Sequence, residues 1–177
     1  MPETIQAHCA CGRVVFEAKG GPLEAIACYC DDCQAVGKQI DALPDGHSGL
    51  GADGGTVSML FRKDLVRCVR GAELLKDHKL RSASPATRQL ASCCNSNMTT
   101  RFENWLPITA LRTHSVNVQS FKPAVCIHTR FAPDATKLVH AAPRHPSLPP
   151  RLKLKVAGAA VALALPWLQG DGRLTLL

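Results

Sequence analysis

The stretch Cys28-Tyr29-Cys30-Asp31-Asp32-Cys33 places three cysteines on one tight turn, and two more cysteine clusters flank it. Cys9 and Cys11 lie upstream, and the adjacent pair Cys93 and Cys94 lies downstream. Thiolates spaced so closely suit a borderline-soft tetrahedral ion such as zinc. Seven sulfurs are too many for one tetrahedron and about right for two. The sequence therefore predicts one or two zinc ions per chain, bound by Cys9, Cys11, Cys93, Cys94, Cys28, Cys30 and Cys33.

A disulfide scaffold is the main alternative to zinc. The chain has nine cysteines, an odd number, and its first residues lack the apolar segment of a secretory signal. At 177 residues it is also larger than the secreted domains that need disulfides. We therefore expect a reduced, cytoplasmic setting, in which clustered cysteines bind metal more often than they pair. Cys68 and Cys126 stand alone on apolar stretches and are predicted to be core residues.

The charge distribution disfavours nucleic-acid binding. The net charge is +7, but residues 136–177 hold six basic residues against one acidic residue, a net of +5. The cysteine-bearing part is therefore nearly neutral. With 5% aromatic residues, it also offers few rings for stacking on bases.

Residues 1–135 are predicted to form one mainly β domain, because short strands alternate with turns and no long helical period occurs. A short helical turn is expected at Asp32–Lys38 and a loop at Asp41–Gly55, which is rich in glycine and aspartate. Zinc bound at the cysteine turns would hold the sheets together. The predicted strands are Arg13–Ala18, Leu23–Cys28, Thr56–Arg62, Leu65–Arg70, Leu74–Leu80, Thr87–Cys93, Met98–Phe102 and Ile108–Val118.

Residues 136–177 are predicted to form a separate tail. Ala142–Pro150 contains four prolines and reads as a linker, followed by a basic and apolar helix that ends before Pro166. The uncharged run Val156–Leu168 is shorter than the ~20 residues that span a bilayer, so a transmembrane helix is not expected. The helix either packs back on its own domain or contacts a membrane surface or protein partner. The free tail is the expectation tested below.

Two cysteine motifs resemble those of a known family. His8-Cys-Ala-Cys-Gly-Arg-Val-Val-Phe-Glu17 is similar to the opening Cys-x-Cys-Gly-x-(Val/Leu)-x-(Phe/Tyr)-Glu of the glutathione-dependent formaldehyde-activating enzyme family, which includes centromere protein V type proteins. Cys28-Tyr-Cys-Asp-Asp-Cys-Gln-Ala-Val-Gly37 resembles its second motif, Cys-His-Cys-x-x-Cys-(Arg/Gln)-x-x-x-Gly. Gly71–Leu75 and Arg88–Asn95 are similar to later family segments, so the resemblance covers about residues 6–118.

This resemblance implies a mainly β, Mss4-like sandwich with two zinc sites. Cys9 and Cys11 match the family's structural pair, which a later Cys-x-x-Cys completes. Cys28, Cys30 and Cys33 match the ligands of a more open zinc, where a glutathione thiol adduct is thought to bind. Zinc there would polarise the hemithioacetal of formaldehyde and glutathione, so the resemblance implies a carbon–sulfur lyase.

The chain departs from the family pattern in the third cluster and at two other positions. It has no Cys-x-x-Cys there. If Cys94 matches the first family cysteine, Asn97 replaces the second, and an amide is a poor zinc ligand. If Cys94 matches the second, the adjacent Cys93 substitutes for the first, which keeps four sulfurs together and is the alignment we favour. Tyr29 replaces the family's histidine and Asn95 its glycine.

Several other side chains are weaker candidates. His8 could be a spare ligand but is expected to face solvent. Asp31 and Asp32 could support the cysteine turn by hydrogen bonds, although ordinary turn chemistry explains them as well. Three basic residues could bind the carboxylates of glutathione: Lys38, Arg88 and Arg101.

Three functions are therefore considered. The first is a zinc enzyme acting on a glutathione adduct or similar thiol conjugate. The second is a non-catalytic zinc module whose basic tail contacts a membrane or partner. The third, nucleic-acid binding, is disfavoured by the charge distribution.

Overall fold

The computed structural model describes residues 4–103, 106–112 and 122–165 of the chain. The predicted mainly β fold of two sheets is confirmed. Within these residues ten strands form a three-stranded and a seven-stranded sheet. The strands are β1 (Thr4–His8), β2 (Val15–Lys19), β3 (Glu24–Cys28), β4 (Thr56–Arg62), β5 (Val66–Arg70), β6 (Leu75–Lys79), β7 (Ala86–Ala91), β8 (Ser96–Phe102), β9 (Ile108–Arg112) and β10 (Val125–Ile127).

The small sheet has the order β1-β2-β5, with both neighbours antiparallel to β2. Its alternating apolar residues, among them Phe16 and Ala18, are buried against Met59, Phe61 and Leu111 of the large sheet. Period-2 alternation places such residues on one face of a strand. This packing forms the main core of the sandwich.

The large sheet has the order β10-β3-β4-β9-β8-β7-β6, in which only β10 and β3 among the described strands pair in parallel. One face packs on the small sheet. The other face presents Ile26, Leu60 and Ala110, which belong to a second apolar cluster. The large sheet therefore has a different environment on each side.

Helix α1 (Asp31–Asp41) is longer than the short turn that was predicted at Asp32–Lys38. Asp31 and Asp32 lie in its first turn, where they complement the helix dipole. Val36, Gly37 and Ile40 are buried, with the i, i+1, i+4 spacing of one helix face. The predicted turn ended at Lys38 and therefore did not include Ile40. The segment after α1 forms turns and isolated bridges, in agreement with the loop predicted up to Gly55.

The observed strands differ from the predicted ones mainly at the edges. Strands β1 and β10 were not predicted; β1 is an edge strand with little alternation and β10 has three residues. Strand β7 ends at Ala91 rather than Cys93, because both following cysteines lie in the turn. The strand predicted at Ile108–Val118 is observed as Ile108–Arg112, and residues 113–118 lie outside the described part of the chain.

Helix α2 (Pro150–Ala164) corrects the prediction of a free tail. It begins with a proline in its first turn and buries Leu152, Val156 and Ala159. Leu152 and Val156 join the apolar cluster of the second sheet face. The Lys155 ammonium donates to Glu24 Oε2 at 2.8 Å and to the Leu23 carbonyl at 2.9 Å. The stripe of apolar residues on α2 therefore packs back on the domain.

The remainder of the tail, including Pro166–Leu168 and the charges at Asp171 and Arg173, lies outside the described residues. Among the helices that are described, none has the length and apolar character needed to cross a membrane.

Candidate metal centres and cavity

The structure brings Cys9, Cys11, Cys93 and Cys94 together, with all four sulfurs within 4.8 Å of one another. The first two lie in the turn after β1, where Gly12 adopts a positive φ of 74°. The other two lie in the turn between β7 and β8. Two turns from opposite sheets thus converge on one point, and the arrangement corresponds to the alignment in which Cys93 substitutes for a family cysteine.

The sulfur separations in this first cluster fit a tetrahedral ion. The Sγ–Sγ distances are 3.5 Å from Cys9 to Cys11, 3.9 Å from Cys9 to Cys93 and 3.3 Å from Cys11 to Cys93. Cys93 and Cys94 are 3.9 Å apart. Zinc–sulfur bonds of about 2.3 Å give a tetrahedron with edges of about 3.8 Å. The donor set therefore could hold a metal ion of this kind.

The two asparagines next to this cluster, Asn95 in the turn and Asn97 on β8, have structural roles. Asn95 stands at a φ of 46° in the left-handed region, which glycine adopts freely and asparagine tolerates better than most residues. That explains how it can occupy the family's glycine position. Asn97 is buried, and its amide donates to the Ser48 carbonyl at 3.3 Å. The alignment in which Asn97 replaces the second family cysteine has no support from these contacts.

The thiols of the first cluster have different pKa values. A hydrogen bond with Arg13 lowers the pKa of Cys11 to about 6. Burial raises the pKa of Cys93 to about 12, and its hydrogen bond with Cys11 adds to the effect. The Cys9 sulfur accepts a hydrogen bond from the Val14 amide at 3.2 Å. Burial raises the pKa of Cys9, whereas for Cys94 burial is outweighed by hydrogen bonds, first with Ser96, that lower the pKa. Without a cation the four thiols therefore do not all ionise, and four thiolates require a metal.

The second cluster has three sulfurs, from Cys28, Cys30 and Cys33, again within 4.8 Å of one another. Cys28 ends β3, Cys30 is the N-cap of α1, and Cys33 lies in the first helical turn. The Sγ atoms of Cys28 and Cys30 are 3.5 Å apart. In the part of the chain that is described, no fourth cysteine, histidine or carboxylate joins this group.

The pKa values of this cluster follow the same logic. Hydrogen bonds from Cys28 and Cys30 lower the pKa of Cys33, and the positive charges of Arg112 and Arg88 lower it further. The pKa of Cys28 is raised, first by its hydrogen bond to Cys30. The Cys28 bond lowers the pKa of Cys30, but the Cys33 bond and burial raise it more, to about 11. Cys33 is thus the first thiolate, and a cation would be needed for the others.

These three cysteines line a cavity of about 320 Å³ on the face of the large sheet opposite the small sheet. Residues of six neighbouring strands, from β10 to β7, form its floor, and Ser58 pairs there with Arg112 and Arg88 with Thr100. Helix α2 contributes Leu152 to the opposite wall. Most of the lining is apolar, including Ile26, Leu60, Phe102, Leu106, Ile108 and Val156.

Two buried arginines also line the cavity. Arg112 is 3% exposed and donates to Ser58 Oγ and Thr100 Oγ1, each at 2.8 Å. Arg88 is 2% exposed and donates to the Ala86 carbonyl at 3.1 Å. The Nε atoms of both arginines have no hydrogen-bond partner among the described residues. Burial lowers the pKa of Arg112. Buried polar atoms are normally paired, so these two atoms call for an explanation.

Of the basic residues predicted to bind carboxylates, only Arg88 lies in this cavity. Lys38 is exposed on α1, and Arg101 donates to both carboxylate oxygens of the exposed Asp77, at 2.9 and 2.8 Å. Arg112 was missed. The signal in the sequence was a charged residue directly after four apolar or small residues in a predicted strand. The structure shows that all five residues of β9 are buried.

Tyr29, the family's histidine position, lies away from the cavity. It is fully buried in a cluster with Ala27, Cys126 and Leu138. Its hydroxyl donates to Asp53 Oδ2 at 2.7 Å. Strand alternation directs residue 29 away from its two cysteine neighbours. The replacement therefore does not alter the cavity wall.

The weaker candidates have ordinary roles. His8 is half-buried, and the first cluster does not include it. Asp31 Oδ1 accepts from the Asp32 amide at 3.0 Å, and Asp32 pairs with Arg81 at 3.1 Å, so both act mainly at the start of the helix. Cys126 is buried as predicted, whereas Cys68 is only half-buried on β5.

Comparisons with known proteins concern the N-terminal part of the chain, which contains five of the seven clustered cysteines. Residues 4–42 match the family described as "Glutathione-dependent formaldehyde-activating enzyme". A search of curated proteins finds no match. A crystal structure of a Rhodobacter sphaeroides protein aligns with 65% of this chain and 90% of that chain, at 17% identity and a TM-score of 0.47, which is too weak a likeness to identify the fold. The family match confirms the predicted resemblance to the glutathione-dependent formaldehyde-activating enzymes over residues 4–42.

Proposed function

We propose that the chain binds two zinc ions and that the second one serves a carbon–sulfur lyase reaction on a thiol adduct. The observation that carries this proposal is the contrast in ligand number. Four sulfurs close the first cluster, whereas the three sulfurs of the second cluster border a cavity. Four protein ligands are typical of structural zinc, and three leave a position for substrate or water.

The residues present fit zinc at both clusters, because every donor is a thiol and the sulfur spacing matches a tetrahedron. Cys9, Cys11, Cys93 and Cys94 would bind the structural ion, and Cys28, Cys30 and Cys33 the second ion. When bound at the second cluster, zinc would lower the pKa of a thiol or hydroxyl group and polarise a hemithioacetal.

The reaction is the cleavage or formation of a hemithioacetal, such as the S-hydroxymethyl adduct of glutathione. In cleavage, the carbon–sulfur bond breaks with its electron pair going to sulfur, and the adduct's hydroxyl proton is transferred, which yields an aldehyde and a thiol. Arg88 and Arg112 would hold an anionic part of the substrate, and the apolar wall with α2 would limit access of water.

His128 is the side chain proposed to move the hydroxyl proton. It lies in the cavity wall and is half-buried. Burial lowers the pKa of this histidine, and the charge of Arg130 lowers it further. The ring is therefore neutral at pH 7 and can accept a proton. We expect His128→Gln to reduce the rate by about 100-fold, with the zinc content unchanged.

The test combines zinc content with exchange kinetics. Purified, reduced protein is expected to hold two zinc ions per chain and to accelerate the exchange of formaldehyde with glutathione in NMR spectra. Cys30→Ser should lose one zinc ion and all acceleration, whereas Cys68→Ser, outside both clusters, should lose neither. Two bound ions without acceleration would contradict a lyase that acts on the glutathione adduct, and no bound zinc would contradict the whole proposal.

A second candidate function is a non-catalytic zinc module that binds a membrane surface or protein partner through α2. The exposed face of this helix favours it, because Leu154 and Val161 are 73% and 52% exposed beside Arg151 and Lys153. Basic residues near an anionic bilayer contribute about 1 kcal/mol each. Binding to phosphatidylserine vesicles that weakens with salt and is lost in Leu154→Glu would support it.

A further inference from the structure

Arg88 and Arg112 are cations buried in the cavity without an acidic partner among the described residues. The ion pairs that the structure shows elsewhere involve other arginines and lysines. The acceptors of these two are neutral: the hydroxyls of Ser58 and Thr100 and the Ala86 carbonyl. Their two Nε atoms have no partner in the described chain.

Such an arrangement is unfavourable in an empty protein. A buried charge costs free energy unless a counter-charge and hydrogen bonds compensate for it. The cysteines of the second cluster share the cavity and interact with both arginines through charge, but no hydrogen bond joins a guanidinium to a sulfur among the described residues. The two Nε atoms are themselves buried, but both arginines line the cavity, so their positive charge acts on an anion that enters it.

We propose that the cavity binds a small thiol with an apolar body and one anionic group, which the paired guanidiniums of Arg88 and Arg112 hold. Carboxylate is the anion that suits this pair best, because a guanidinium offers parallel N–H groups that match its two oxygens. The thiol lies towards Cys28, Cys30 and Cys33, which line the same cavity. The position of the thiol rests on the proposed function, whereas the binding of the anion by the two arginines does not.

The apolar walls define the body of the ligand. The cavity lining includes Ile26, Leu60 and Ala110 of the sheet and, on the opposite wall, Leu152 and Val156 of α2. Glutathione would place an ammonium group and amide bonds against these side chains, where they would lack partners. An aliphatic or aromatic group can pack against the same apolar side chains without needing a hydrogen-bond partner. The cavity therefore favours an apolar thiol acid over the peptide.

The length of the ligand follows from the strand order. The first cysteine of the cluster lies on β3, while Arg112 lies on β9, two strands away, and Arg88 on β7, four strands away. Strands about 4.8 Å apart separate β3 from β9 by about 10 Å. A straight-chain thiol acid of medium length, such as 6-mercaptohexanoate, spans a gap of this size once the side chains at both ends reach inwards.

The experiment measures the affinity of the zinc-loaded chain for 6-mercaptohexanoate and for 6-mercapto-1-hexanol by calorimetry. These probes differ only in the group at the arginine end. We expect the acid to bind about tenfold tighter or more, since hydrogen bonds to charged groups contribute at least that much. Glutathione should bind more weakly than the acid. Equal affinities for the acid and the alcohol would overturn the proposal.

Variants of the two arginines then show which side chains cause the tighter binding of the acid. Arg112→Met and Arg88→Met should each remove most of the preference for the acid while leaving affinity for the alcohol unchanged. The ligand-free variants should be as stable as wild type or more so, because apolar replacement of a buried unpaired charge is often stabilising. Arg101→Met, whose charge lies outside the cavity, is the matched control and should keep the preference. If Arg112→Met does not fold, Arg88→Met and Arg112→Lys still decide the point.

A metal-independent arm separates this proposal from the proposed function. Hexanoate and 1-hexanol carry no thiol, so their relative affinities report the arginine end alone. Preferential binding of hexanoate that Arg88→Met abolishes would support the anion site even if the second cluster held no zinc. Failure of the lyase assay with this preference intact would contradict the enzyme and leave the anion site standing. Loss of the preference in Arg101→Met alone would overturn it.

Discussion

The two cysteine clusters use the same chemical group on opposite faces of the large sheet, and their surroundings differ. The first brings four sulfurs together beside the packed core of the sandwich, where Cys9 and Cys94 are buried among apolar residues. The second brings three sulfurs to the edge of a cavity that also holds two buried arginines. Ligand number and neighbours, rather than residue type, distinguish the two clusters.

The first cluster also has a topological role that the second lacks. Cys9 and Cys93 are 84 residues apart in sequence, and their sulfurs are 3.9 Å apart. A metal ion there would join the turn of the small sheet to a turn of the large sheet and constrain the unfolded chain. The second cluster spans only the end of β3 and the start of α1. We therefore expect the first cluster to dominate stability.

Cys9→Ser is the substitution with the largest expected effect. It should remove the structural zinc and lower the free energy of unfolding by about 4 kcal/mol or more, because losing a structural metal belongs to the most damaging class of changes. Cys30→Ser should cost about 1–2 kcal/mol, since the second cluster constrains little chain. Denaturant unfolding with zinc determination would measure both. If Cys30→Ser were the more destabilising of the two, the assignment of roles would be reversed.

A smaller effect is expected on the cavity side, from Leu152→Ala. This leucine is 2% exposed in α2 and covers the cavity, so its truncation should cost about 2–3 kcal/mol and enlarge the cavity. Leu154→Ala on the same helix is the matched control, because this side chain is 73% exposed and should change stability by less than about 0.5 kcal/mol. Thermal unfolding of both variants is the measurement.

The same pair tests how α2 sits on the domain. If Leu152→Ala behaved like Leu154→Ala, the helix would not pack on the sheet in solution, and the free tail predicted from the sequence would return. Removal of residues 143–177 would then leave a soluble domain. With α2 packed as observed, that truncation should instead expose the apolar face of the large sheet and cause aggregation.

Much of the fold could be predicted from the sequence because strand signals are local. Thr56–Arg62 is observed with the predicted bounds, since its alternation and β-branched residues act within a single strand. Strand β10 has three residues and depends on its parallel pairing with β3, a contact that no local pattern reveals. The position of α2 was missed for the same reason. Its proline linker indicated separation, whereas its buried face depends on the sheet that it meets.

The candidate site divides in the same way. Cysteine spacing is visible in the sequence, and the structure brings all seven predicted ligands into two groups. Arg112 carries no motif, and its role appears only when strand register places it beside Ser58 and Thr100. Tyr29, which replaces the family's histidine between two predicted ligands, is buried in a cluster away from the cavity. Side-chain direction and long-range register therefore account for what was missed.

The smallest expected effect tests that statement about Tyr29. Its hydroxyl donates to Asp53 at 2.7 Å, and burial together with this carboxylate raises the pKa of the tyrosine, so the group is a neutral donor. Asp53 also accepts from the amides of Gly55 and Val139, at 3.0 and 3.1 Å. Tyr29→Phe keeps the ring and removes one hydrogen bond of three, which should cost about 1 kcal/mol and lower the melting temperature by roughly 2–4 °C.

Zinc content and affinity for 6-mercaptohexanoate should not change in this variant, because residue 29 does not line the cavity. Calorimetry on Tyr29→Phe beside Arg88→Met would show the two effects separately, one on stability alone and one on binding alone. A loss of affinity in Tyr29→Phe as large as that in Arg88→Met would mean that the tyrosine position still belongs to the substrate site.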